Sequence, residues 1–273
     1  MSHRRDSKMG EAVLEFDGVE ISYDGSVVVE GVDAEVCAGE VLCVVGESGS
    51  GKSSLIRAAM GLLGPGGEVS GGRIVYNGRD LSCCSPKELR RLRGFELAMV
   101  FQDCLSALTP IRTIGAQLGE MACSHGVSPH DVESRFCRLL ESVNIGDPCR
   151  VLSSYPFELS GGMGQRVGIG MALAMTPRVL LADEPTSALD TVSQKKVVDQ
   201  LVSFKEKSGC AIVLVTHSFG VARAMADKVL VLKEGRAIEA GPARSVFESP
   251  CHPYTRELLD AVPVLERNVH VGL

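Results

Sequence analysis

Gly46-Glu47-Ser48-Gly49-Ser50-Gly51-Lys52-Ser53 is the stretch on which the fold turns. It satisfies GxxxxGK[ST] without a mismatch, the pattern of a loop whose backbone amides cradle phosphates. Its surroundings suit it: Glu40 to Val45 is a short apolar run that predicts a strand entering the loop. Beyond it Leu55, Ile56, Ala59, Met60 and Leu63 recur at helical spacing, predicting a helix over Ser53 to Leu63. Glycines let the backbone approach phosphate, the helix N-terminus faces negative charge, Lys52 can reach the β and γ phosphates, and Ser53 can ligate Mg²⁺. An ordinary glycine-rich turn would account for the glycines but not for the lysine and the hydroxyl.

Upstream, Val13 to Tyr23 alternates loosely and ends at the turn Asp24-Gly25, so a strand is expected there. Downstream, Gly71 to Gly78 reads as a strand with a turn. Strand signals then vanish between Phe101 and Ser160, where helix-forming stretches such as Val132 to Val143 are separated by Ser, Pro and Gly. After this helical stretch come a strand at Val179 to Asp183, a helix from about Val192 to Lys207, a strand at Ala211 to Thr216, a helix from Phe219, and short strands around Val229 to Leu232 and Arg236 to Ala240. Alternation of this kind predicts an α/β core with a largely parallel sheet.

Composition narrows the function. The chain has 273 residues, 45% of them hydrophobic and 23% charged, enough to bury a full core. A net charge of -6 provides no global field for holding a polyanion, so nucleic acid is not the expected partner. Met1 to Glu15 is charged and lacks the apolar centre of a secretory signal, and no apolar run approaches the roughly 18 residues of a membrane helix. Any membrane role is therefore expected to come through a partner. The 10 cysteines are scattered without a CxxC, so they read as reduced thiols rather than a metal or iron-sulfur set.

Further residues carry chemistry. Val179-Leu180-Leu181-Ala182-Asp183-Glu184 is an apolar run ending in two carboxylates, delivered to the sheet edge where α/β proteins bind ligands. Asp183 is expected to hold Mg²⁺ through water, and Glu184 to act as general base for the attacking water. Ser160-Gly161-Gly162-Met163-Gly164-Gln165 places an amide-rich helix start where a phosphate could sit, although an ordinary N-cap by Ser160 explains it equally well. Gln102, after the strand Met99 to Phe101, carries an amide able to touch Mg²⁺ or water. His217, after the strand Ala211 to Thr216, could bond the γ phosphate.

Together and in this order, these elements resemble the nucleotide-binding subunit of ABC transporters. The resemblance covers about Val13 to Pro250: Gly46 to Ser53 is similar to Walker A, Gln102 to the Q-loop, Leu159 to Gln165 to the LSGGQ-type signature, Val179 to Glu184 to Walker B, Ser187 to Asp190 to the D-loop, and His217 to the switch histidine. Tyr23 resembles the aromatic residue that stacks on adenine. The resemblance implies a P-loop NTPase core with a mainly parallel sheet, a small antiparallel β subdomain and an inserted helical subdomain at about 104–165, the cassette spanning 8–250 and a short tail 251–273. It implies ATP and Mg²⁺ as cofactors, with Tyr23, Gly46 to Ser54, Ser160, Gly161, Gly162, Gln165 and Asp190 at the nucleotide, Ser53, Gln102 and Asp183 at the metal, and Glu184, His217 and Gln102 in catalysis.

The finer texture is similar to the peptide and nickel importers. Phe101-Gln102-Asp103 through Leu108-Thr109-Pro110 resembles the FQDP…LNP stretch of that branch, Tyr155-Pro156 precedes the signature, and Ser249-Pro250-Cys251-His252-Pro253-Tyr254-Thr255 resembles its HPYT element. Cys104, Gly164 and Ser218 depart from the branch pattern without removing a catalytic group. Only Cys251 lies in the tail region, so no iron-sulfur cluster is expected. The implied assembly is a head-to-tail ATPase dimer with a related chain or a second copy, two transmembrane permease subunits and, indirectly, an extracytoplasmic solute-binding protein, at the cytoplasmic face of the cell membrane. A non-transport ABC ATPase acting on ribosomes or DNA repair complexes is the alternative; such proteins usually carry tandem cassettes or a long coiled coil, and no sustained heptad run occurs here. A P-loop kinase would leave Ser160 to Gln165 and His217 without a role.

Overall fold

The computed structural model describes residues 10–261, so the first residues of the expected cassette and positions 262–273 of the expected tail lie outside the described residues. The chain opens with β1 (Ala12–Tyr23) and β2 (Ser26–Cys37), paired antiparallel across Asp24 and Gly25. Both turn residues have positive φ, 48° and 79°, as a two-residue hairpin of matching twist requires. Next come β3 (Val41–Val45), α1 (Lys52–Ala59), β4 (Gly67–Tyr76), β5 (Arg79–Asp80), α2 (Pro86–Leu92) and β6 (Leu97–Val100). The helical region holds α3 (Ile114–Ser124), α4 (Pro129–Ser142), α5 (Pro148–Ser153), a 3₁₀ turn at Pro156–Glu158 and α6 (Gly161–Ala174). The remainder is β7 (Val179–Asp183), α7 (Thr191–Ser208), β8 (Ala211–Val215), α8 (Phe219–Met225), β9 (Lys228–Lys233), β10 (Arg236–Pro242), α9 (Ala243–Glu248) and α10 (Pro253–Asp260).

The strands form two sheets. The smaller has the order β2-β1-β4-β5 and is antiparallel; the larger has the order β10-β9-β3-β8-β7-β6, parallel throughout except for the β10-β9 pair. Period-2 geometry divides each buried strand between two cores. Cys43, Leu180, Ala182, Ile212, Leu214 and Val231 face one core, built with the helical region. Leu42, Val44, Leu181, Val213 and Leu230 face the other, where α1 and the antiparallel sheet pack. The α/β expectation, with its parallel core, antiparallel subdomain and helical insertion, holds.

Several boundaries differ for local reasons. The helix expected to reach Leu63 ends at Ala59, because the chain turns at Met60 and Gly61 and the Leu62 amide bonds back to the Arg57 carbonyl at 2.8 Å. Leu62 and Leu63 still pack on the core, which is why the apolar spacing runs past the helix. β4 starts at Gly67 rather than Gly71, and β6 ends at Val100, leaving Phe101 and Gln102 in a loop. β2 was not legible: Glu30, Gly31, Asp33 and Glu35 break its apolar pattern, and it lies half exposed.

Candidate functional site

β3 is buried along its whole length and delivers Gly46 to the C-terminal edge of the sheet. Gly46 has φ 150°, and a Cβ there would lie 2.1 Å from the Leu232 carbonyl oxygen, so only glycine lets the loop leave between β3 and β9. Gly51 precedes α1 in a left-handed conformation, and Lys52 opens the helix. Lys52 is 7% exposed, and its ammonium donates to the carbonyls of Gly46 at 2.8 Å and Glu47 at 2.5 Å. Burial pushes its pKa below the ordinary lysine value, and the charges of Glu184, Asp183 and Glu47 oppose that shift. A largely buried cation is thus held among backbone oxygens, beside the cavity, that a phosphate can replace.

β7 ends at Asp183, which is fully buried. Its Oδ1 accepts from the Ser53 hydroxyl at 2.7 Å, and its Oδ2 pairs with the Arg57 guanidinium at 3.3 Å. Glu184 follows with φ 49°, unusual for a residue with a Cβ, and its amide donates to the Val215 carbonyl at 2.9 Å, extending the sheet ladder by one rung. Its carboxylate lies 2.8 Å from His217 Nδ1. Gln102, Glu184, Val215 and His217 line one cavity of about 340 Å³ with Val28, Ser48, Gly49 and Gly51 to Ser54. A larger cavity of about 1120 Å³ between α4 and α7 contains none of the expected residues.

The structure does not bring the signature to this cavity. Ser160 caps α6, accepting from the Met163 amide, and it and Gly161 are exposed away from the phosphate loop. Gln165 is only 3% exposed and its amide nitrogen donates to the carbonyls of Phe101 at 3.3 Å and Pro185 at 3.1 Å, so it braces the loops carrying Gln102 and Glu184. Asp190 spends its carboxylate capping α7, and hydrogen bonds from the Ser193 amide and hydroxyl, then from the Val192 amide, hold its pKa below the ordinary aspartate value. Tyr23, at the end of β1, is half-buried against Gly67 and outside the cavity lining. Sequence reasoning missed Arg57 and the contact of Tyr254 with the loop, whose hydroxyl accepts from the Glu47 amide at 3.2 Å. Arg57 lies four residues after Ser53 and so on its helix face, a signal that could have found it.

A parallel sheet whose β3 feeds a phosphate loop, with carboxylates at the end of β7 on the far side of β8, defines a P-loop NTPase. Residues 29–187 match the family model described as ABC transporter, and the chain belongs to that family as an ATP hydrolase. Residues 238–271 match a second model, the oligopeptide/dipeptide transporter C-terminal region. The dipeptide transport ATP-binding protein DppD of Bacillus subtilis (strain 168) is 40% identical over 264 residues, 94% of this chain and 79% of that protein. The oligopeptide transport ATP-binding protein OppD of Salmonella typhimurium is 41% identical over 259 residues, 93% of this chain and 77% of that protein. Among solved structures, a dimeric ATP-binding cassette in a post-hydrolysis state with ADP and Pi superposes with a TM-score of 0.75 at 26% identity, covering 85% of this chain and 99% of that one. An ATP-binding subunit of an ABC transporter gives 0.74 at 27% identity, covering 92% and 95%.

Proposed function

We propose that the chain is the ATP-hydrolysing subunit that energises a peptide importer, with residues 8–250 as the cassette and 251–273 as the tail of the peptide branch. The observation that carries this reading is the pairing of a cassette match with a peptide-transporter C-terminal match in one chain. Relatives that share about two residues in five with it are named for dipeptide and oligopeptide transport, which favours peptides over nickel as cargo.

The residues at the β7 edge fit a magnesium ion. A hydroxyl and a fully buried carboxylate form a hard oxygen donor set, and Arg57 supplies the positive charge that this carboxylate otherwise lacks. Mg²⁺ held by Ser53, Asp183 and Gln102 would neutralise charge on the β and γ phosphates of ATP. Lys52 exchanges its carbonyl partners for phosphate oxygens, and the loop amides fix the triphosphate. Glu184 takes the proton of the attacking water, and His217 holds the Glu184 carboxylate in position and bonds the γ phosphate.

Ser160, Gly161, Gly162 and Asp190 serve the nucleotide of a second ATPase subunit in a head-to-tail dimer, which accounts for their absence from the cavity at this chain's own loop and for the exposure of Ser160, Gly161 and Asp190. Tyr23 stacks on adenine. Among the described residues no helix is long and apolar enough to cross a membrane. The exposed apolar side chains Ile111 and Phe157, the latter stacked on Tyr155, lie within the helical insertion and offer a contact for two permease subunits at the cytoplasmic face. The extracytoplasmic solute-binding protein acts through those permeases.

Purification of the tagged chain from its native membranes in mild detergent tests the reading. Recovery of a permease pair, a related ATPase and a peptide-loaded binding protein is the expected result. Recovery with ribosomal or DNA repair components, and no permease, overturns the transport function while leaving ATP hydrolysis in place.

A further inference from the structure

We propose that Tyr254, in the C-terminal HPYT element, is a positioning residue of the phosphate loop, so that this element sets the affinity of the site for ATP; the second half of this statement rests on the ATPase reading above. Tyr254 lies 207 residues beyond Glu47, yet its hydroxyl accepts the Glu47 amide at 3.2 Å. The Gly46 carbonyl, the other half of that peptide group, accepts from the Lys52 ammonium at 2.8 Å, and the Glu47 carbonyl beyond it is the second backbone acceptor of Lys52. The peptide unit between Gly46 and Glu47 is therefore held on one side by the C-terminal helix and on the other by the phosphate-binding lysine.

The helix is built to hold that hydroxyl still. Pro253 starts α10 at its first helical position, and the His252 Nδ1 accepts from the Tyr254 amide at 3.1 Å, capping it. The amides of Cys251 and His252 donate to the two carboxylate oxygens of Glu239 in β10, at 2.8 and 3.0 Å. The Tyr254 ring is 4% exposed and lies under the Lys233 ammonium, 4.5 Å from its centroid. Glu239 thus anchors the start of the helix, the helix orients Tyr254, and Tyr254 holds Glu47. A preorganised loop binds phosphate without first ordering itself, and loss of one such hydrogen bond weakens binding by a few-fold.

The test compares the full-length chain with Y254F, which removes only the hydroxyl and keeps the buried ring and its cation contact. Hydrogen exchange of the Glu47 to Ser50 amides is measured without nucleotide, and the ATP dissociation constant by equilibrium titration. We expect faster exchange at Glu47 and ATP binding weakened about threefold to tenfold, with the melting temperature of the apo chain little changed. E239A should weaken ATP binding similarly, and in the Y254F background it should add nothing, because both act through one contact. Unchanged exchange at Glu47 in Y254F overturns the proposal. Faster exchange with unchanged ATP affinity, or additive effects of E239A and Y254F, overturns it as well. A wild-type chain that fails to bind ATP would sink the ATPase reading instead, and the exchange data would still decide whether Tyr254 holds the loop.

Discussion

The imidazole Nδ1 of His217 lies 2.8 Å from a carboxylate oxygen of Glu184. Glu184 is largely buried on its side chain whereas His217 is exposed, so the histidine reaches in to orient a carboxylate that the backbone has already fixed at positive φ. Glu184→Gln preserves this shape and the hydrogen bond but cannot accept a proton. Its ATP turnover should fall by about a hundredfold or more, with ATP binding retained, since removing a general base typically costs 10² to 10⁴. Phosphate release and equilibrium ATP binding measured on the same preparation decide it. Near-normal turnover would remove Glu184 from the role of base.

Arg57 is the cation paired with the buried Asp183 carboxylate, at 3.3 Å. Arg57→Ala leaves that charge with the Ser53 hydroxyl as its remaining close partner. Because the Arg57 side chain is 43% exposed, its pairing is partly screened, and the expected loss is about 1–2 kcal/mol rather than the larger cost of breaking a fully buried pair. Addition of Mg²⁺ with ATP should shrink the difference from wild type, because a divalent cation compensates the same carboxylate. Thermal melts with and without Mg²⁺-ATP measure both. An equal loss under both conditions would separate Arg57 from the metal site.

Lys52 is buried, and that burial pulls its pKa below the ordinary value near 10.4. Only the charged form binds phosphate well, so the association constant for ATP should hold at neutral pH and bend downward as pH rises through the lowered pKa of the free chain. The bend therefore falls below pH of about 10.4. ATP titrations across that range test it, with Lys52→Ala as control: its affinity should already be weaker at neutral pH and should lack the bend. A bend at or above the ordinary lysine value would mean that the carboxylates of Glu184, Asp183 and Glu47 outweigh burial.

How much of this was legible depended on the range of the forces involved. Gly46 to Ser53, Asp183 and Glu184 could be read because strand, loop and chemistry are contiguous there; the 340 Å³ cavity gathers Ser48, Gly49, Gly51 to Ser53 and Glu184 with Gln102 and His217, and Asp183 joins them through the Ser53 hydroxyl. The charge of Asp183 predicted a metal but not its Arg57 partner, since that pairing spans 126 residues. Gln165 was expected at the nucleotide from its place in the signature, yet nothing local reveals that its amide is bound by carbonyls 64 and 20 residues away. Tyr254 was visible as part of a branch motif, but only the fold brings it to Glu47.

Gly164 and Gly168 lie one helical turn apart on α6, and their surroundings predict opposite tolerances. A Cβ on Gly168 would fall 2.4 Å from both the Cβ and the Sγ of Cys104, a buried side chain too short to swing away. A Cβ on Gly164 would meet the branched end of Leu105 at 2.4 to 2.6 Å, and that side chain is only partly buried and can change rotamer. Gly168→Ala should therefore cost about 1–3 kcal/mol by overpacking. Gly164→Ala should cost less than Gly168→Ala, because both gain the same helix propensity of up to about 1 kcal/mol but only the clash at 164 is relieved, by Leu105. Denaturant unfolding of the two variants compares them directly. Equal losses would mean that Leu105 is as fixed as Cys104, and that the departure from the branch pattern at position 164 is tied to Leu105 just as position 168 is tied to Cys104.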